Sequence, residues 1–209
     1  MRKFGQGSIA VGALVAIVAV ALFSGGAVAG SRGLIAPIED ENGDAIGSVR
    51  FRRTDDGEVK VRVNARGLAP GFHGFHVHTT GVCDPDAVDT TGNAFPFFTA
   101  GGHYNPVTAN THGAHAGDMS PLLVTQDGRA FLRLKTDRFA LGDLMDDDGS
   151  AVILHASSDN LAHIPATTST GGERYHSHVD NVLGADTATK ATGDAGARFG
   201  CGVIERVRS

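Results

Sequence analysis

His76-Val77-His78 places two imidazoles two residues apart in an apolar run. On a strand, residues i and i+2 project from one face, so both rings can share one metal ion, and imidazole suits copper and zinc. Further along, Gly101-Gly102-His103-Tyr104-Asn105-Pro106 is followed by His112-Gly113-Ala114-His115-Ala116-Gly117-Asp118. His103, His112, His115 and Asp118 supply four N and O donors, the number a closed tetrahedral zinc site requires. Gly113 and Gly117 favour a loop bent around an ion over a helix. His155 ends the apolar run Val152-Ile153-Leu154, so its ring should emerge at the rim of a sheet. Asp159, four residues on, is placed either to fix the tautomer of a ligand imidazole or to serve as an ordinary turn carboxylate. His73 lies three positions before His76, faces the other way and reads as structural.

These side chains need a frame, and the frame is written in period two. Val59, Val61 and Val63 alternate with Lys60, Arg62 and Asn64, and Val49 and Phe51 alternate with Ser48, Arg50 and Arg52. Strict alternation marks half-buried strands, and Asn42-Gly43, Asp56-Gly57 and Asp127-Gly128 mark turns. Eight strands are expected: Leu34–Ile38, Ile46–Arg53, Val59–Ala65, His73–His78, Leu122–Thr125, Ala130–Leu134, Ala151–His155 and Cys201–Val207. With no long helical pattern between them, an antiparallel sandwich or barrel is favoured over βαβ units. Two connections, Thr79 to Pro121 and Ala156 to Gly200, are too long for hairpins, and loops of that length are usually functional or disordered. They hold or border most of the ten histidines.

Composition narrows the class. The chain has 209 residues, 41% hydrophobic and 20% charged, with 29 glycines and two cysteines. That excludes a multi-span membrane protein, a collagen-like repeat and a disulfide-dense mini-protein. Arg2 and Lys3 precede an apolar stretch from Ile9 to Phe23, then small residues ending in Ala27-Val28-Ala29, the pattern of a secretory signal peptide. The expected organisation is a signal peptide over 1–29 and one domain over 30–209. The alternative is an uncleaved anchor, though the stretch is shorter than the ~20 residues that span a bilayer. Losing Arg2 and Lys3 takes the formal net charge from −5 to −7. So acidic a chain offers no basic stripe, which argues against nucleic acid as a partner. Membrane contact is expected only through an uncleaved N-terminal segment. Export, to a cell envelope, periplasm-like or extracellular space, puts Cys83 and Cys201 where two cysteines pair rather than bind metal. Their bridge would close a loop of 118 residues.

Gly71-Phe72-His73-Gly74-Phe75-His76-Val77-His78, Gly101-Gly102-His103-Tyr104-Asn105-Pro106, His115-Ala116-Gly117-Asp118 and Gly193-Asp194-Ala195-Gly196-Ala197-Arg198-Phe199-Gly200-Cys201-Gly202-Val203-Ile204 together resemble the copper/zinc superoxide dismutases. The resemblance runs in order from about Leu34 to Arg206. It implies an eight-stranded antiparallel Greek-key barrel or sandwich with two long functional loops. It further implies copper on His76, His78, His103 and His155, and zinc on His103, His112, His115 and Asp118, with His103 bridging. Asp159 matches the carboxylate linking ligands of the two metals, Arg198 the guanidinium beside copper, Thr192 the channel-rim hydroxyl, and Cys83 and Cys201 the disulfide. The implied activity is dismutation of superoxide to O₂ and hydrogen peroxide by a redox-cycling copper, protecting the extracytoplasmic space.

The resemblance departs at His112 and His115, closer together than the family's longer zinc loops place them, and at His163, His176 and His178, which have no counterpart. A copper-only dismutase and a non-catalytic, dismutase-like copper-binding protein are the alternatives. The oligomeric state is open, a homodimer included.

Overall fold

The computed structural model describes Met1 and residues 33–208. Apart from Met1, the segment read as a signal peptide lies outside the described residues.

The strands are β1 (Leu34–Asp40), β2 (Ala45–Arg53), β3 (Val59–Arg66), β4 (Gly71–His73), β5 (Phe75–His78), β6 (Leu122–Val124), β7 (Arg129–Thr136), β8 (Ala151–His155), β9 (His176–Ser177), β10 (Val182–Leu183), β11 (Arg198–Val203) and β12 (Glu205–Arg206). A short α-helix, α1 (Thr187–Thr192), precedes β11. All pairing is antiparallel, in the order β4-β6-β7-β3-β2-β1-β11-β8-β5, with β12 on β1. β4 and β5, the two ends of that order, are successive pieces of one extended run interrupted only at Gly74, so the sheet nearly closes into a barrel. All eight expected strands are present in sequence order. The break at Gly74 divides the fourth, because there the run leaves β6 for β8, Gly74 N–H donating to Ser157 O and Gly74 O accepting from His155 N; a Cβ on it would lie 2.6 Å from Ala195 Cβ.

Alternation fills the barrel. Val59, Val61, Val63 and Ala65 of β3 point inward and are buried, and Leu34, Ala36 and Ile38 of β1 meet them with Val49 and Phe51 of β2. β8 is buried on both faces. Its Val152 and Leu154 enter the main core, whereas Ala151 and Ile153 pack with Phe97, Ala100 and Cys201 in a smaller cluster. An unbroken apolar run is what such a doubly covered strand requires. The outer cover is the long connection after β5, tied down by the Cys83–Cys201 disulfide.

The second long connection has structure that the strand pattern did not reveal, the β9–β10 hairpin and α1. Asp186 caps α1 by accepting from Thr189 N at 2.8 Å, and Gly193 ends it in the left-handed region (φ 64°), a position where glycine carries no Cβ penalty.

Candidate metal centre

β5 is buried along its whole length, Phe75 and Val77 belonging to the main core while His76 and His78, at the alternate positions, lie beneath the long loops. β8 pairs with β5, bringing His155 to the same place. An isolated bridge between His78 and His103 docks the first long loop onto β5. One donor atom from each of His76, His78, His103 and His155 lies within 4.8 Å of the others, and all four residues are buried.

Outer hydrogen bonds fix the tautomers of three of these rings. His78 Nδ1 donates to Gly101 O at 2.9 Å and His155 Nδ1 to Gly196 O at 3.1 Å, because a carbonyl only accepts. His76 Nε2 lies 2.6 Å from Asp159 Oδ2. The opposite nitrogens, His76 Nδ1, His78 Nε2 and His155 Nε2, are buried without any hydrogen-bond partner. Buried polar atoms are nearly always paired, and three facing lone pairs with no donor among them make a cation site. Burial, together with the charge of neighbouring histidines, pushes His155 down to about 3 and His78 well below the ordinary imidazole value. These rings are therefore neutral ligands at physiological pH.

A second donor set adjoins the first. Asp118 Oδ1 lies 2.7 Å from His103 Nδ1, 3.3 Å from His112 Nδ1 and 3.3 Å from His115 Nδ1, and His115 Nδ1 is 3.4 Å from His103 Nδ1. A tetrahedral zinc with bonds near 2.0–2.1 Å spaces its ligands about 3.3–3.4 Å apart. The short His112–His115 spacing is thus no obstacle, because Gly113 turns the loop at φ +91°. With Nδ1 of His103 directed at Asp118, its Nε2 is left for the first set. Burial brings His103 down to about 4, against the opposing pull of Asp118. Asp118 and Asp159 are held far below the ordinary carboxylate range, since hydrogen bonds from His103 and His112, and from His112 and His76, outweigh burial. Both donor sets fit their ions.

Residues 45–204 match the family model described as copper/zinc superoxide dismutase. The chain belongs to that family. It is similar to the Cu-Zn superoxide dismutase of Mycobacterium tuberculosis, 38% identical over 179 residues that cover 84% of this chain and 71% of that protein. The Escherichia coli K12 Cu-Zn enzyme is 36% identical over 138 residues, 64% of this chain and 77% of that one. Among solved structures, the Cu/Zn superoxide dismutase from Brucella abortus aligns with a TM-score of 0.60 at 25% identity, covering 82% of this chain and 98% of that one. A SOD-like protein from Bacillus subtilis aligns at 0.56 and 27%, covering 80% and 95%. Because the same fold carries both names, the donor set rather than the fold has to decide the chemistry.

Asp159 joins the two halves of the centre, with Oδ2 on His76 and Oδ1 2.8 Å from His112 Nε2. Arg198 donates to the carbonyls of Phe97 and Gly101 and lies over the rings of Phe95 and Phe98. Gly101 O also takes the proton of His78 Nδ1, so one carbonyl links the guanidinium to a ligand of the first set. Burial lowers Arg198 only to about 10, which leaves it cationic at neutral pH. Thr192 is exposed at the end of α1, its hydroxyl bonded to Ala188 O. Among the described residues, no hydrogen bond joins Thr192 to Arg198 or to the histidines. His73 is structural, its two nitrogens each 2.8 Å from a carbonyl, of His155 and of Ala69. His176 and His178 have rings 5.2 Å apart on the β9 hairpin, and neither they nor His163 enter the centre.

Sequence reasoning missed the backbone acceptors Gly101 O and Gly196 O, which orient His78 and His155 and have no side-chain signature. It also missed Arg138, whose guanidinium donates to the carbonyls of His115, Gly113 and Asp118 and so ties down the turn that carries the second donor set.

Proposed function

We propose that this chain dismutes superoxide to O₂ and hydrogen peroxide outside the cytoplasm, with copper on His76, His78, His103 and His155 and zinc on His103, His112, His115 and Asp118. The observation that carries the reading is the set of three buried imidazole nitrogens without partners, all directed into one group with His103. Bound there, copper supplies one-electron redox chemistry, and zinc, which has none, supplies a fixed charge.

The chain's own residues do the rest. Gly101 O, Gly196 O and Asp159 hold three rings in the tautomer that turns a lone pair inward. His103 Nδ1 is committed to the Asp118 side, so Nε2 is the atom in the centre able to hold and pass a proton. Arg198 keeps a positive charge one carbonyl away from His78. The chain as a whole is anionic, −5 by formal count, so this local charge must draw a small anion against the general field, as focusing in a cleft does. Placement outside the cytoplasm is supported by the Cys83–Cys201 disulfide, since such bonds persist in oxidising compartments, and by the basic-then-apolar N-terminal pattern.

Metal analysis of the purified protein beside a dismutation assay, repeated for His155→Ala, tests this. One copper and one zinc per chain with activity, and loss of copper and activity in H155A, are expected. Full copper occupancy without dismutation would overturn the enzyme reading in favour of a copper-binding protein. Activity with copper but no zinc would overturn the zinc assignment.

A further inference from the structure

Strand register gathers cations that the net charge hides. On the outer face of the barrel, Arg50 of β2 stands opposite Arg62 of β3, which stands opposite Arg133 of β7. Two residues along, Arg52, Lys60 and Lys135 form a second row across the same strands. Six of the chain's 18 lysines and arginines thus occupy one exposed patch. Neighbouring strands lie about 4.8 Å apart and alternate residues about 6.7 Å, so the two rows rise from a base of roughly 10 by 7 Å. With Arg53 and, at one end, Thr54, Asp55 and Asp56, they line a shallow groove of about 760 Å³.

Like charges directly opposite on a sheet repel, and little here offsets them. Lys135 pairs with Asp56 and Glu58 at one corner, and Arg133 lies over Phe131. Among the described residues, Arg50, Arg52, Lys60 and Arg62 have no ion pair.

We propose that this face docks the protein on an anionic phospholipid surface. Side chains stand roughly perpendicular to a sheet, so the charged ends spread over a broad, shallow face that can meet many lipid headgroups, with no ridge to enter the groove of a duplex. β3 lies four strands from β8 in the order of the barrel, so a docked molecule turns its histidine-bearing wall away from the lipid. The contact needs no membrane-crossing segment, and it revises the expectation that an acidic chain has no basic stripe.

Co-sedimentation of the metal-loaded mature chain, residues 30–209, with phosphatidylglycerol–phosphatidylcholine vesicles, against phosphatidylcholine alone, tests it. Binding is expected only to the anionic vesicles and should vanish at about 0.5 M salt, where the Debye length is down to a few Å. R50S/R62S/R133S should partition about 100-fold more weakly, at about fivefold per basic residue, while retaining dismutation. R174S/K190S/R208S, which loses equal charge elsewhere, should partition close to the unaltered chain. Should the first triple variant fail to fold, R62S alone should weaken partitioning about fivefold. Absence of binding to anionic vesicles at low salt, equal binding by the R50S/R62S/R133S protein, or binding to a DNA duplex but not to vesicles would overturn the proposal.

Discussion

Replacing Gly193 by alanine adds one methyl group at the point where α1 meets the zinc-side loop. The residue sits at φ +64°, and a Cβ would lie 2.3 Å from His112 Nε2 and 2.6 Å from its Cδ2 and Cε1. The ring cannot swing clear freely. Its Nε2 is 2.8 Å from Asp159 Oδ1, its Nδ1 is 3.3 Å from Asp118 Oδ1, and its backbone N–H donates to Lys190 O at 2.6 Å. To reach an ordinary contact distance the imidazole must retreat by about 1 Å, which breaks the bond to Asp159, a charge-assisted contact worth about 1.5–3 kcal/mol. The left-handed backbone costs alanine about 1–2 kcal/mol more.

The expected destabilisation is therefore about 3–5 kcal/mol, or roughly 10 °C in Tm for a domain of this size. Zinc affinity should fall about 10–100-fold, the usual effect of losing a contact that orients a ligand. Gly171→Ala is the internal control, because Gly171 also has positive φ (+86°) but open space around its Cβ position, so only the backbone cost of about 1–2 kcal/mol applies. Thermal unfolding and metal content of both variants decide the matter. Full zinc occupancy in G193A, with a Tm loss no larger than in G171A, would refute the reasoning.

Two further outcomes follow from the same structure. Metal-free protein should lose stability as pH falls from about 6.5 towards 4, because His103 (about 4) and His155 (about 3) have depressed pKa values and bind fewer protons folded than unfolded; Asp118 and Asp159, also depressed, add a further loss only below about pH 4, where the unfolded carboxylates take up protons. His103 alone contributes on the order of 3 kcal/mol to that slope. His112 works the other way. Burial is outweighed there by Asp118 and Asp159, which raise it to about 9, so its contribution is complete below about 6.5 and disappears as pH rises through 9; a Tm–pH profile of the apo protein that is flat from 4 to 9 would contradict both assignments. Cys83→Ser should lower Tm by about 10–20 °C, since the disulfide closes a 118-residue loop, a constraint on the order of 4–5 kcal/mol. Calorimetry of the metal-loaded protein with and without the substitution checks this, and an unchanged Tm would mean the loop is held by packing alone.

Which features of this centre could be read before folding depended on where their chemistry is written. The ligand histidines and Asp118 announce themselves as side chains, and strand alternation at Val59–Val63 is enough to frame a barrel around them. Gly101 O and Gly196 O cannot announce themselves, because every residue has a carbonyl. Only the fold reveals that these two receive the protons of His78 and His155. Arg138 belongs with them, an unremarked arginine that acts through three carbonyls of the turn it grips. The basic face was hidden for a different reason. Arg50, Arg62 and Arg133 lie in three separate segments, and a charge count averages them against acidic residues located elsewhere. Antiparallel register then sorts what composition averages, setting the three in one row. Period-two alternation places a side chain on one face or the other, but register decides which side chains share that face as neighbours, and register is the property that single-strand patterns do not contain.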